Sequence, residues 1–160
     1  LTPDDMDYGR FKTILETQGK THRFKYVTKS FNEVDLSEMK PAGVATDLLG
    51  ILSYSHHFDK DLCKAMQMLE PQGKLYLLLS NPSETLRFYN RDGSEIPFEQ
   101  YLARVKGIKV LEYQPVLLDG RILYRAVLQK TEESVTAPSL EVRGYIAEGP
   151  PIRSYWLPAK

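Results

Sequence analysis

Apolar residues fill consecutive positions in two short runs, Asp47–Ser53 and Lys74–Ser80, and recur between them at helical spacing over Asp59–Leu69 as Leu62, Ala65, Met66 and Leu69. A run that is apolar at both parities reads as a strand buried on both faces. Two such runs joined by one helix predict adjacent parallel strands with a crossover between them. Glu70-Pro71-Gln72-Gly73 supplies the turn into the second strand.

The flanking pattern extends this plan. Thr2-Pro3-Asp4-Asp5 starts a helix, with Thr2 as N-cap, Pro3 at the first helical position and two acids at the positive end of the dipole; Tyr8, Phe11 and Leu15 share a face and Gly19 ends it. Arg23–Thr28 reads as a strand, 32–42 as a loop with a short helical turn, Pro82–Asn90 as a short helix, and Ile96–Lys106 as a helix closed by Gly107. Ile108–Leu118 and Arg121–Lys130 flank Asp119-Gly120, a strong hairpin signal, so they are expected to pair antiparallel. Residues 131–160 carry four prolines with Tyr145, Tyr155 and Trp156, and read as a Pro-rich extended arm docked by its aromatics. The fold class is α/β: three layers and a mostly parallel sheet with an antiparallel hairpin near its end.

At 160 residues the chain fits one domain of about the size that buries two-thirds of its unfolded surface. Twenty-one basic residues balance twenty-one acidic ones, so no global field favours nucleic acid or an anionic membrane. The single cysteine, Cys63, excludes an internal disulfide and a multi-thiolate zinc site, and makes a reducing, cytoplasmic home the expectation. No run approaches the roughly 20 apolar residues needed to span a bilayer. Leu1 in place of a starting Met suggests processing or a boundary within a longer polypeptide.

Asp47 at the head of one apolar run, the Ser53-Tyr54-Ser55-His56-His57 segment at its far end, and the Pro71-Gln72-Gly73 turn into the next run resemble the middle of a class I S-adenosylmethionine-dependent methyltransferase. That fold has seven strands in the order 3-2-1-4-5-7-6, the last pair forming a hairpin that places strand 7 antiparallel between 5 and 6. The resemblance covers about residues 1–130 and makes Arg23–Thr28 strand 3, Asp47–Ser53 strand 4, Lys74–Ser80 strand 5, and the hairpin strands 6 and 7. It implies an incomplete Rossmann-like domain, the C-terminal part of a larger enzyme lacking strands 1 and 2. Asp47–Ser53 would then present an open edge to a missing N-terminal segment or to another protein chain.

The same resemblance assigns the chemistry. The glycine-rich loop and the ribose-binding acid of the family have no counterpart here, so S-adenosylmethionine is expected to bind only with the missing segment. What remains would be the adenine side, at Ser30, Phe31 and Asn32, and the floor of the site, at Ser53 and Tyr54. From the residues themselves, His56 and His57 stand at the carboxyl end of a buried strand, where imidazole could serve as a general base; polar loop residues opening the next helix are the plainer alternative. Adjacent histidines chelate one ion poorly, and no metal site is expected. Asp47 reads as structural and Cys63 as a small buried hydrophobe. The Asn/Asp-Pro-Pro-Tyr motif of base and amide methylation is absent after strand 4, which favours a small-molecule or protein side-chain acceptor over nucleic acid. A non-catalytic, methyltransferase-like binding or scaffold module is the second reading, and another doubly wound nucleotide-binding fold the third.

Overall fold

The computed structural model describes residues 5–19, 30–81, 85–146 and 152–158. The chain divides into two compact units, Leu1–Asp35 and Leu36–Lys160. In the first, helix α1 spans Asp5–Thr17 and ends at Gly19, whose φ of 64° and N–H bond to the Glu16 carbonyl (3.0 Å) make the expected stop. The cap residues Thr2 and Pro3 and the strand expected at Arg23–Thr28 lie outside the described residues.

The second unit holds β1 (Ala42–Leu48), α2 (Ile51–Tyr54), α3 (Phe58–Gln67), β2 (Leu69–Ser80), β3 (Leu86–Tyr89), β4 (Glu95–Ile96), α4 (Phe98–Leu102), β5 (Ile108–Leu118), β6 (Arg121–Lys130), β7 (Glu141–Ile146) and β8 (Ile152–Trp156). These strands form two four-stranded sheets, ordered β1-β2-β6-β5 and β4-β3-β8-β7. In the first sheet β1 and β2 are parallel neighbours, with Ala45 opposite Leu75 and Asp47 opposite Leu77, and α3 lies between them in the chain. β6 runs antiparallel between β2 and β5.

A mostly parallel sheet is not what forms. Both sheets are mixed, and only the β1/β2 and β3/β8 pairings are parallel. The physical reason is connectivity: a crossover through α3 leads directly from β1 to β2 and allows them to run parallel, while a tight turn joins β5 and β6 and forces them antiparallel. That turn is the expected one. Asp119 (φ 49°) and Gly120 (φ 74°) both take positive φ, as a type I′ hairpin requires. An added Cβ on Gly120 meets no atom within 4 Å. Gly120→Val is therefore expected to cost about 1 kcal/mol through backbone strain alone, and unchanged stability in urea denaturation would rule out this turn.

Several element bounds differ from expectation. The first strand is Ala42–Leu48, not Asp47–Ser53: the chain turns at Leu49 (φ 51°) and Gly50, and Ile51–Tyr54 curl into α2. Within the expected helix Pro82–Asn90, Leu86–Tyr89 is instead a strand, because β8 offers it a parallel partner, Phe88 opposite Tyr155. The helix expected over Ile96–Lys106 is the shorter α4. Residues 131–160, read as an arm, contribute β7 and β8.

One core serves both sheets. Leu75, Leu77 and Leu79 of β2 share a buried face with Ala126 and Leu128 of β6. Leu62 and Met66 of α3 are fully buried, and α3 packs on β2. Phe58, the first residue of α3, meets Phe88 at 5.5 Å and Phe98 at 5.6 Å in edge-to-face contacts. From there aromatic contacts run through Tyr113 to Tyr124 on β6, tying the second sheet to the first.

Candidate functional site

The carboxyl ends of β1 and β2 open into a cleft of about 950 Å³. One wall is Leu49, Ser53 and Tyr54, following β1; another is Ser80, Asn81 and Thr85, following β2; the β5–β6 turn, from Leu118 to Leu123, makes the third. Topology explains the convergence. β6 starts where β2 ends, with Leu123 opposite Ser80, so the hairpin tip arrives at the same end of the sheet as the parallel strands' exits.

The wall after β1 is held from beneath by Asp47. Its Oδ2 accepts the Leu52 N–H at 2.9 Å, which caps α2 and turns the chain. Burial pushes the Asp47 carboxyl above its ordinary 3.8, while backbone bonds from Leu52 and Ile51 pull it back. The structural reading of this acid holds, at the end of a strand rather than its head. Since its folded pKa is raised, its contribution to stability is fully present below the unfolded value of 3.8 and is lost as pH rises through the folded value. Asp47→Asn is expected to remove that decline, so the variant gains on the wild type as pH climbs above 3.8. Parallel stability-versus-pH curves for the two proteins, measured by urea denaturation, would refute it.

The same wall is gripped from the second sheet. Arg153 of β8, 2% exposed, donates from Nη1 to the Ser53 carbonyl at 3.2 Å and lies 5.8 Å from the Tyr54 ring centroid. Tyr155 donates its hydroxyl to the Ser55 carbonyl, and the Ser55 hydroxyl donates to Asp61 in the first turn of α3. Burial raises the Tyr155 pKa well above the usual phenol range, so it acts as a neutral donor. Ser53 is buried, and its hydroxyl has no hydrogen-bond partner among the described residues.

Of the residues assigned from sequence, Ser53 and Tyr54 meet in the cleft. His56 and His57 occupy the exposed link between α2 and α3 and are not among the cleft-lining residues. His57 uses its backbone there, its N–H bonding the Ser55 hydroxyl at 2.8 Å and its carbonyl accepting the Asp61 N–H at 2.9 Å. Ser30, Phe31 and Asn32 belong to the first unit, where Ser30 precedes a 3-10 turn and donates its N–H to Glu33 Oε2 at 3.2 Å. Cys63 is half-buried and its thiol is pushed up in pKa by burial, consistent with an inert side chain. Among the described residues no group of His, Cys, Asp and Glu could hold a metal ion.

Arg121, Thr85, Arg153 and Tyr155 escaped the sequence reading. For Arg121 a signal existed, since a turn at Asp119-Gly120 delivers its neighbours to one end of the hairpin. For Arg153 there was none: nothing in a proline-rich tail marks a buried cation.

No helix among the described residues is long and apolar enough to cross a membrane. No family model and no curated protein matches the chain. Among solved structures it is similar to a Listeria monocytogenes protein provisionally described as an S-adenosylmethionine-dependent methyltransferase, at 14% identity, with 72% of this chain and 76% of that one covered and a TM-score of 0.44. A likeness at that level carries no information about what this chain binds.

Proposed function

We propose that this chain is a methyltransferase-like domain, the C-terminal part of an S-adenosylmethionine-dependent enzyme acting on a small molecule or a protein side chain. The observation that carries the reading is the sheet order β1-β2-β6-β5, a parallel pair beside an antiparallel insertion, which is the 4-5-7-6 half of the expected fold with a cleft at its carboxyl end. Ser53 and Tyr54 would floor the cofactor site, Ser30, Phe31 and Asn32 would serve its adenine side, and His56 and His57 are the candidate bases. S-adenosylmethionine, when bound, supplies the methyl group; the residues of this chain position the acceptor against it.

Among the described residues β1 ends its sheet, and Val44 and Leu48 on it are 57% and 66% exposed. A further strand laid along β1, from this polypeptide or a second chain, would satisfy its edge and complete the cofactor cradle. Calorimetric titration with S-adenosylhomocysteine tests this. The chain alone is expected to show no micromolar binding, and the full reading frame to bind; micromolar binding by the chain alone would contradict the incomplete cradle. Failure of the full reading frame to bind would favour the second reading, a non-catalytic scaffold module. In a protein that binds, His56→Ala and His57→Ala are expected to lower turnover with folding intact, and wild-type turnover in both would remove histidine from the mechanism.

A further inference from the structure

We infer that the cleft takes a small amphipathic anion, an aryl or acyl carboxylate or phosphate, with its acid on Arg121. The inference deepens the proposed function by naming an acceptor class, but it rests only on the cleft being a ligand site. Among the described residues Arg121 is the only Arg, Lys or His lining the cleft. Among the described residues it enters no ion pair, although Asp119 sits two residues away on the same tip and lines the same cleft. A guanidinium left with open donors in a concave site is suited to bidentate capture of a carboxylate or phosphate. The Ser53 hydroxyl, buried and without a partner among the described residues, offers a further donor in the same cleft.

Around these polar groups the walls are apolar. Leu118, Ile122 and Tyr54 are 48%, 57% and 43% exposed although large, and all three line the cleft. A fully hydrophilic anion would leave that surface wet, whereas a ligand with an apolar body covers it. Behind the Tyr54 wall the buried Arg153 adds a second positive charge. Asp119 opposes it, so selectivity for an acid comes from the guanidinium fork and not from the net field.

The test is an amide chemical-shift titration of the intact chain with phenyl phosphate, benzoate, inorganic phosphate and neutral benzyl alcohol. Phenyl phosphate or benzoate is expected to move the Ser80, Gly120 and Arg121 signals at concentrations where inorganic phosphate and benzyl alcohol do not; which of the two binds more tightly identifies the acid. Arg121→Gln is expected to weaken that binding about tenfold, with Arg121→Lys intermediate and Arg87→Gln, on β3, unchanged. The inference is overturned if benzyl alcohol binds as well as the anions, if no cleft signal moves, or if Arg121→Gln binds like wild type with its spectrum otherwise intact. Because no arm uses cofactor, anion binding without any S-adenosylhomocysteine binding would sink the methyltransferase reading and leave this one standing.

Discussion

Phe88→Ala is expected to remove about 3 to 5 kcal/mol of stability, a large share of the roughly 5 to 15 kcal/mol that holds a typical domain. Phe88 is 1% exposed and stacks on Tyr101 at 4.5 Å and on Tyr155 at 5.2 Å, with Phe58 edge-on at 5.5 Å. Its truncation would open a void bounded by rigid rings, which collapse into empty space less readily than aliphatic chains. On its strand Phe88 pairs with both Ile96 of β4 and Tyr155 of β8, so the loss falls on the whole second sheet. Urea denaturation should show a lower midpoint, with Phe88→Leu milder. A loss below about 1 kcal/mol would mean that this cluster is not the core.

Gly107→Ala is expected to cost about 3 kcal/mol or more. Gly107 takes φ of 80°, and a Cβ there would lie 2.3 Å from the Ser134 carbonyl oxygen and 3.3 Å from the Val135 Cα. Both are backbone atoms, and they cannot swing away: Lys106 and Thr136 exchange two N–H bonds of 2.9 and 3.1 Å, and Thr131 donates to the Gly107 carbonyl at 2.9 Å. The comparison with Gly120 separates two causes. Both positions have positive φ, but only Gly107 meets a wall. Equal losses at the two sites, measured by thermal unfolding, would show that the close approach to Ser134 contributes nothing.

What the sequence disclosed follows the range of the forces involved. The parallel pair, its helix and the hairpin were legible because each is written in neighbouring residues: apolar runs, the Leu62–Leu69 stripe, Asp119-Gly120. The second sheet was not, because β3 finds its central partner in β8 more than sixty residues later, and four residues of Leu-Arg-Phe-Tyr fit a helix or a strand equally well until that partner is known. The end of β1 was misplaced for a similar reason. Ile51 and Leu52 continue the apolar run, and only the Asp47 carboxylate reaching forward to the Leu52 N–H shows that the chain has already turned. In the site, Ser53 and Tyr54 were found from their place after an apolar run; Asp119-Gly120 sets Arg121 at a hairpin tip, but only the register of β6 against β2 brings that tip to the cleft.

The bonds from Arg153 to Ser53 and from Tyr155 to Ser55 each join residues one hundred positions apart. During translation the cleft wall therefore leaves the ribosome long before the strand that clamps it. At about 5 to 20 residues per second, Phe58 and Phe88 wait several seconds for Tyr155, their partner on β8. In that interval the ring faces that Tyr155 later covers lack their partner, and transiently exposed apolar surface of this kind favours aggregation. A stalled or shortened product without β8 would lose the clamp on the cleft together with Tyr155 of the core.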